Sequence, residues 1–476
     1  MKISWPVAPA LSLALVVAAV PAARVEARSA PPPNVIIVLP DQWRAQAFGF
    51  AGDPNVKTPH LDRLATESVN FVHAVAGVPV CSPMRASLLT GRRPLTTGVF
   101  LNDVPLDTAA ISLAKALGAA GYDTGYIGKW HLNGGDRSAF IPRDRRQGFD
   151  YWKASETTHD YNHSTYFADD PEKRMWPGYD AIAQTEDAVG YVRAHARSAK
   201  PFLLVLAWGP PHSPYETAPE KYRAMYDREK LILRGNVPPE ISQPTRLMLA
   251  NYYAHCSALD DCMGALRAAL ADADLEQNTL LVFTSDHGDL LGSHASHNKQ
   301  QPYDESIRVP LLWHWPVGLG TTARKVPEPI NSEDLMPTIL GLCGVAKPAT
   351  IEGFDFSGYL RGQNDPSDGA VLISCVAPFG QWTRRNGGRE YRGVRTARYT
   401  YVRDLKGPWL LFDDDADPDQ KNNLVDRPEC TALRAELDAV LQRKLAAAHD
   451  TFLPGDAYIK RWGYRVDQDG TVPYGP

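Results

Sequence analysis

The stretch Asn34–Gln42, "NVIIVLPDQ", decides the fold. From Val35 to Leu39 every residue is apolar and most are β-branched, with no polar alternation, the pattern of a strand buried on both faces of a parallel sheet. Pro40 cannot continue the ladder, and the next residue is a carboxylate, Asp41. Three further runs repeat this plan: Tyr122–Ile127 "YDTGYI" leads into Gly128-Lys129-Trp130-His131, Phe202–Trp208 "FLLVLAW" into Gly209-Pro210-Pro211-His212, and Thr279–Thr284 "TLLVFT" into Ser285-Asp286-His287-Gly288. Helical patterns separate them, at Thr58–Glu67, Ile111–Ala120, Thr185–Ala196 and Leu247–Ala271, the last with Leu259, Met263, Leu266 and Leu270 in one stripe. Strands alternating with helices specify an α/β sheet with helices on both faces. Ligands of such sheets bind beyond the carboxyl ends of the strands. One Asp or His after a strand is ordinarily a turn former or helix cap. Four such endings together make a site.

After about Leu360 the pattern changes. "YRGVRTARYTYVRD" and "GPWLLFDDD" alternate as antiparallel strands do, a turn-rich "DADPDQKNNL" follows, and a helix is expected over Thr431–Ala447. The expected organisation is a large α/β domain over 34–360 and a smaller α+β subdomain with an antiparallel sheet over 361–476. A chain of this length exceeds what one core usually holds.

The N-terminus reads as a signal peptide over 1–27: Lys2, an apolar run from Ala8 to Val20, and a small-residue cleavage site at Val25-Glu26-Ala27. The run is shorter than the ~20 residues of a spanning helix, so export to the periplasm or the medium is expected, and a membrane span is not. Removal of Lys2, Arg24 and Glu26 takes the formal charge from −5 to −6. That mild acidity argues against nucleic acid as a partner. The six cysteines (Cys81, Cys256, Cys262, Cys343, Cys375 and Cys430) are too sparse for a disulfide-stapled scaffold, and their pairing is not legible.

Asp41 and Asp286 offer hard oxygen ligands at two strand ends, with Gln42 and His287 beside them, a set that suits one divalent cation. Lys129, His131, His212, Lys299 and Arg85 add cationic or proton-donating groups, as an oxyanion ester requires. Cys81 stands at the start of a helix opening near Pro83, with Arg85 one turn on, so an anion at position 81 is stabilised. A soft thiolate matches poorly with hard oxygen ligands around a calcium-type cation.

Cys81-Ser82-Pro83-Met84-Arg85, completed by Leu89-Thr90-Gly91-Arg92, is similar to the signature of the type I sulfatases, members of the alkaline-phosphatase-like superfamily. "PDQWR", "TPHLDRLATES", "GYDTGYIGKWHL", "RRQGFDYW", "PHSPY", "NTLLVFTSDHGDLLGSH", "NKQQPYDESIRVPL" and "LLFDDDADPDQKNNL" resemble further family segments in the same order. The resemblance implies that a formylglycine-generating enzyme oxidises Cys81 to Cα-formylglycine, whose hydrate is an oxygen ligand and oxygen nucleophile. It implies one divalent cation, calcium first and manganese or magnesium as alternatives, held by Asp41, Gln42, Asp286, His287 and the modified Cys81. Arg85 and Lys129 are then expected to hold the sulfate, Lys299 its far oxygens, His212 to protonate the leaving alcohol, and His131 to assist sulfate release. Gln42 stands where a second Asp is common and His287 where Asn is common. The Asp-Gln and Asp-His pairs occur in carbohydrate sulfatases and in phosphonate monoester hydrolases. The expected activity is therefore sulfate removal from a sugar or polysaccharide, with phosphonate monoester or phosphodiester hydrolysis as the alternative. "THDYNHSTYF" and "GSHASHNK" offer a sugar subsite, for which His163 and His294 are the first choices.

Overall fold

The computed structural model describes residues 1–6 and 31–475, and the chain from Pro32 onward forms one compact unit. The expected signal-peptide run and its cleavage site lie outside the described residues.

The strands of the large sheet are β1 (Asn34–Val38), β2 (Val69–Phe71), β3 (Asp123–Lys129), β4 (Tyr151–Ser155), β5 (Phe202–Ala207), β6 (Thr279–Thr284), β7 (Leu311–His314) and β8 (Arg324–Val326). Their order is β8-β2-β7-β6-β1-β5-β3-β4. The pairs β6–β1, β1–β5, β5–β3 and β3–β4 are parallel, whereas β7 runs antiparallel to both β6 and β2. The four strands expected from sequence are the four adjacent central ones, and β7 makes the sheet mixed.

Period-two alternation divides the buried strands between two cores. Val35, Ile37, Val205 and Val282 pack with α2 (Cys81–Thr90) and α3 (Leu113–Ala119), which follow α1 (Pro59–Ala65) in the chain. Ile36, Val38, Leu204 and Phe283 pack on the opposite face with α1, α4 (Asp180–His195) and α5 (Ser242–Asp272). The stripe Leu259, Met263, Leu266 and Leu270 belongs to this second core. Both α4 and α5 begin five residues before their expected starts. The first turns of α4 bury small residues, Ala181 and Ala183, which carry no leucine stripe to read.

A separate antiparallel sheet joins β9 (Ala370–Cys375), β10 (Tyr391–Thr396), β11 (Tyr399–Asp404) and β12 (Gly407–Asp413) in chain order. One face packs on α6 (Thr431–Ala447) through Leu437, Leu441 and Leu445. The other carries Ile373, Val402 and Phe412 against Val75 and Ile307 of the preceding region. All six cysteines are free thiols. Among the described residues no helix is long and apolar enough to cross a membrane.

Candidate active site

The adjacent strands β6, β1, β5 and β3 deliver Asp286, Asp41, His212 and Lys129 to the carboxyl end of the sheet, where the backbone turns away and ligands can approach. Asp41 bridges to Pro211, and its N–H donates to the Trp208 carbonyl at 3.1 Å, so the ends of β1 and β5 are tied together. Cys81 is the first residue of α2, opposite these strand ends. Gln42 and His131 hold positive φ angles of 69° and 58° immediately beside the site, backbone strain of the kind that concentrates at functional positions.

One oxygen each from Asp41 and Asp286, Cys81 Sγ and one His287 nitrogen lie within 4.8 Å of one another, all fully buried. His287 Nδ1 donates to the Gly288 carbonyl at 2.9 Å, which leaves Nε2 a lone pair directed at Cys81 Sγ, 3.3 Å away. Burial pushes the Asp41 carboxyl up, but its cationic neighbours, Lys129 foremost and Lys299 with it, outweigh it and hold Asp41 well below the usual range. Asp286 is pushed up, by burial and by the neighbouring Asp41 carboxylate. Two carboxylates facing one imidazole lone pair fit a hard or borderline divalent cation. The thiol is the ill-matched member, and an oxygen in its place completes the set. The residues thus fit both the cation and the oxidised form of Cys81 that the signature implies.

Arg85 donates to Asp286 Oδ2 from Nε and Nη2 (3.1 and 3.0 Å) and to the Lys129 carbonyl from Nη1 (2.8 Å). It therefore braces the Asp286 carboxylate and the end of β3. Lys129 is ion-paired with Asp41 and stands 3.7 Å from Cys81 Sγ. Gln42 is fixed beside the cluster: its amide nitrogen donates to Asp289 at 2.6 Å, and its oxygen accepts from Lys299 at 2.8 Å.

The cluster opens on a cavity of about 300 Å³ lined by Cys81, Lys129, His131, His212 and Lys299. Lys299 Nζ lies 2.9 Å from His212 Nε2 and 3.6 Å from Cys81 Sγ. An ammonium only donates, and His212 Nδ1 donates to the Ser213 carbonyl at 2.8 Å, so Nε2 accepts and the shared proton rests on Lys299. Burial and the Lys299 charge push His212 well below its usual value, in agreement with a neutral ring. Burial and Asp41 both push the Cys81 thiol up, yet Lys129 and Lys299 bring it well below the usual thiol range, so the cavity favours an anion at this position.

Asp41, Gln42, Cys81, Arg85, Lys129, His131, His212, Asp286, His287 and Lys299 thus converge on one site. His163 and His294 do not join them. His163 is exposed and turned onto Asp160 at 3.2 Å, and His294 stacks on Tyr303 and bonds Asn236. From the same Tyr- and His-rich loop as His163, His159 enters the cavity and stacks on His212, ring centroids 5.0 Å apart. Asn102, Asp103, Arg137 and Tyr474 also line the cavity. They come from irregular segments and the C-terminal tail, where no strand ending or periodicity marks them.

A family model described as Sulfatase matches residues 33–345, and one described as N-sulphoglucosamine sulphohydrolase, C-terminal, matches 292–447. The chain is 46% identical over 452 residues to an ulvan-active sulfatase of Formosa agariphila, covering 93% of this chain and 87% of that protein. It is 29% identical to an endo-4-O-sulfatase of Bacteroides thetaiotaomicron, covering 84% and 89%. A solved structure from B. thetaiotaomicron, described as part of its metabolism of multiple glycosaminoglycans, superposes with a TM-score of 0.81 at 27% identity and covers 93% of this chain and all of that one. With a match over most of its length and its signature cysteine at the centre of the cavity, the chain belongs to the sulfatase family.

Proposed function

We propose that this sulfatase is exported and removes sulfate from a sugar of a sulfated polysaccharide, with Cys81 acting as formylglycine and one divalent cation, calcium first, held by Asp41, Asp286, His287 and residue 81 beside Gln42. The observation that carries this reading is the cavity itself: a buried cluster of side chains suited to a cation, two lysines and three histidines line, with Cys81, a space of about 300 Å³, room for a single sugar ring. The ulvan-active and endo-4-O-sulfatase names of two relatives support a carbohydrate substrate, and the N-terminal apolar run supports export.

Formylglycine supplies a hydrated aldehyde oxygen as nucleophile, and the cation supplies positive charge beside the sulfate oxygens. The chain's own residues supply the rest. Lys129 and Lys299 both reach position 81 and neutralise the ester oxygens as charge moves onto them. Arg85 fixes Asp286. The proton for the leaving alcohol comes from the Lys299–His212 pair, which holds it on Lys299 in the resting state, and His159 stacks over His212 to keep water from that face.

Mass spectrometry of the Cys81 peptide from protein matured with the formylglycine-generating enzyme is expected to show the aldehyde, and Cys81→Ala to abolish turnover. Parallel assays on sulfated algal and glycosaminoglycan oligosaccharides, an aryl sulfate and an aryl phosphonate are expected to favour sulfate esters. An unmodified thiol with full activity overturns the nucleophile, and preference for the phosphonate overturns the substrate class. Cell fractionation tests export.

A further inference from the structure

His131 Nε2 lies 3.2 Å from Asp103 Oδ1. A carboxylate accepts only, so Nε2 carries the proton. Nδ1 is buried with no hydrogen bond among the described residues; the ring lines the same cavity as Cys81, and Ser82 Oγ, next to Cys81, donates to the His131 carbonyl at 2.7 Å. Asp103 is itself gripped: Arg137 donates from Nε to Oδ1 and from Nη2 to Oδ2, both at 2.7 Å, a fork-on-carboxylate contact that fixes position as well as charge. The Arg137 guanidinium lies 3.5 Å over the ring of Tyr474, two residues from the end of the chain. Asp103 holds a positive φ of 62°, as His131 does at 58°, so both ends of the pair occupy strained backbone that the fold must impose.

We propose that Asp103 is a positioning residue for the sulfatase reaction: clamped by Arg137, which the C-terminal tail holds through Tyr474, it fixes His131 as the Nε2–H tautomer with the Nδ1 lone pair toward position 81. This rests on the proposed chemistry at Cys81. In the release step Nδ1 takes the hydroxyl proton of the sulfated hydrate, the O–H electron pair becomes the C=O bond, and the C–O bond to sulfate breaks with its electrons leaving on sulfate. Atoms and charge balance without a co-reactant. An amide at position 103 can donate to Nε2, which favours the opposite tautomer and blocks Nδ1 as base.

The experiment compares wild type, Asp103→Asn, Asp103→Glu and Tyr474→Leu, each in the formylglycine form and each checked for folding by circular dichroism. With an aryl sulfate, Asp103→Asn is expected to keep the initial burst of alcohol at one equivalent per site, while steady turnover falls about 10²–10⁴-fold. Asp103→Glu is expected to recover part of that loss, and Tyr474→Leu to lie between Asn and wild type. Nitrogen-15 NMR of the His131 ring, which needs no turnover, is expected to show Nε2–H in the wild type and Nδ1–H in Asp103→Asn. A tautomer unchanged by Asp103→Asn, or a burst lost in proportion to turnover, overturns the proposal. Absence of any sulfatase activity in the wild type with the tautomer shift intact overturns the chemistry at Cys81 instead.

Discussion

At the scale of single residues, the site assigns its protons by burial and by what each neighbour is able to donate. Sequence alone suggests His212 as the acid that protonates the leaving alcohol. In the fold its Nδ1 is spent on the Ser213 carbonyl and its Nε2 faces the Lys299 ammonium, so in the proposed reaction the acid is the Lys299–His212 pair. Asp103 shows the reverse case. Burial pushes its carboxyl up, and the hydrogen bonds from His131 and Arg137 more than reverse this, bringing it from the ordinary 3.8 to about 2. A carboxylate depressed in the fold contributes stability above the unfolded value and loses it as pH falls through the folded one. The contribution is therefore about 2 kcal/mol at neutral pH, and about half of it remains at pH 3. Urea denaturation of wild type and Asp103→Asn is expected to show a stability difference that shrinks by that proportion between pH 6 and pH 3. An equal difference at both values would remove the ionic account of the pair.

Elements carry the site because four parallel strands end at one level. Gly128, one residue before Lys129, has φ of +104°, and a Cβ there would meet the Ala207 carbonyl oxygen of β5 at 2.0 Å. Gly128→Ala is expected to cost at least about 2 kcal/mol and to lower turnover by displacing Lys129. Gly190→Ala, inside α4 with open space where the methyl would sit, is expected to stabilise by up to about 1 kcal/mol. Thermal melts of the two variants check the contrast, and equal midpoints would refute it. The same elements explain what could be read beforehand. A buried apolar run that breaks into Pro-Asp, Gly-Lys or Ser-Asp announces both the strand and its functional end, so β1, β3, β5 and β6 and their four endings were legible. The strand β7 sits in "VPLLWHWP", too short and too proline-bounded to distinguish from a loop, and β2 and β8 are three residues each. His159 and His163 share one irregular loop with no period to say which ring turns inward. Only the tertiary stack on His212 decides it.

For the whole molecule, the buried charges of the cluster couple catalysis to stability. Asp41 and Asp286 are buried side by side, paired with Lys129 and Arg85, and Asp286 is still pushed up, by burial and by its neighbour. A cation that binds the folded chain and not the unfolded one stabilises by mass action, about 2.7 kcal/mol at one hundred times its dissociation constant. Chelation is expected to lower the melting midpoint as well as activity, and graded addition of calcium, manganese or magnesium to restore both together. Asp41→Asn is expected to melt at one temperature with or without the ion. A midpoint indifferent to chelation would exclude a cation at this cluster.

The order β6-β1-β5-β3 has a consequence for redesign. Asp286, Asp41, His212 and Lys129 stand at strand ends locked into two cores, and Cys81 at the start of α2, whereas Asn102, His159 and Tyr474 reach the cavity from irregular segments and the chain's tail. A change of rim residues therefore leaves the strand ends of the reacting centre in place. A protein engineer can graft a relative's rim segments onto this sheet and expect the turnover of a small aryl ester to survive the transplant where His159 and Tyr474 are kept.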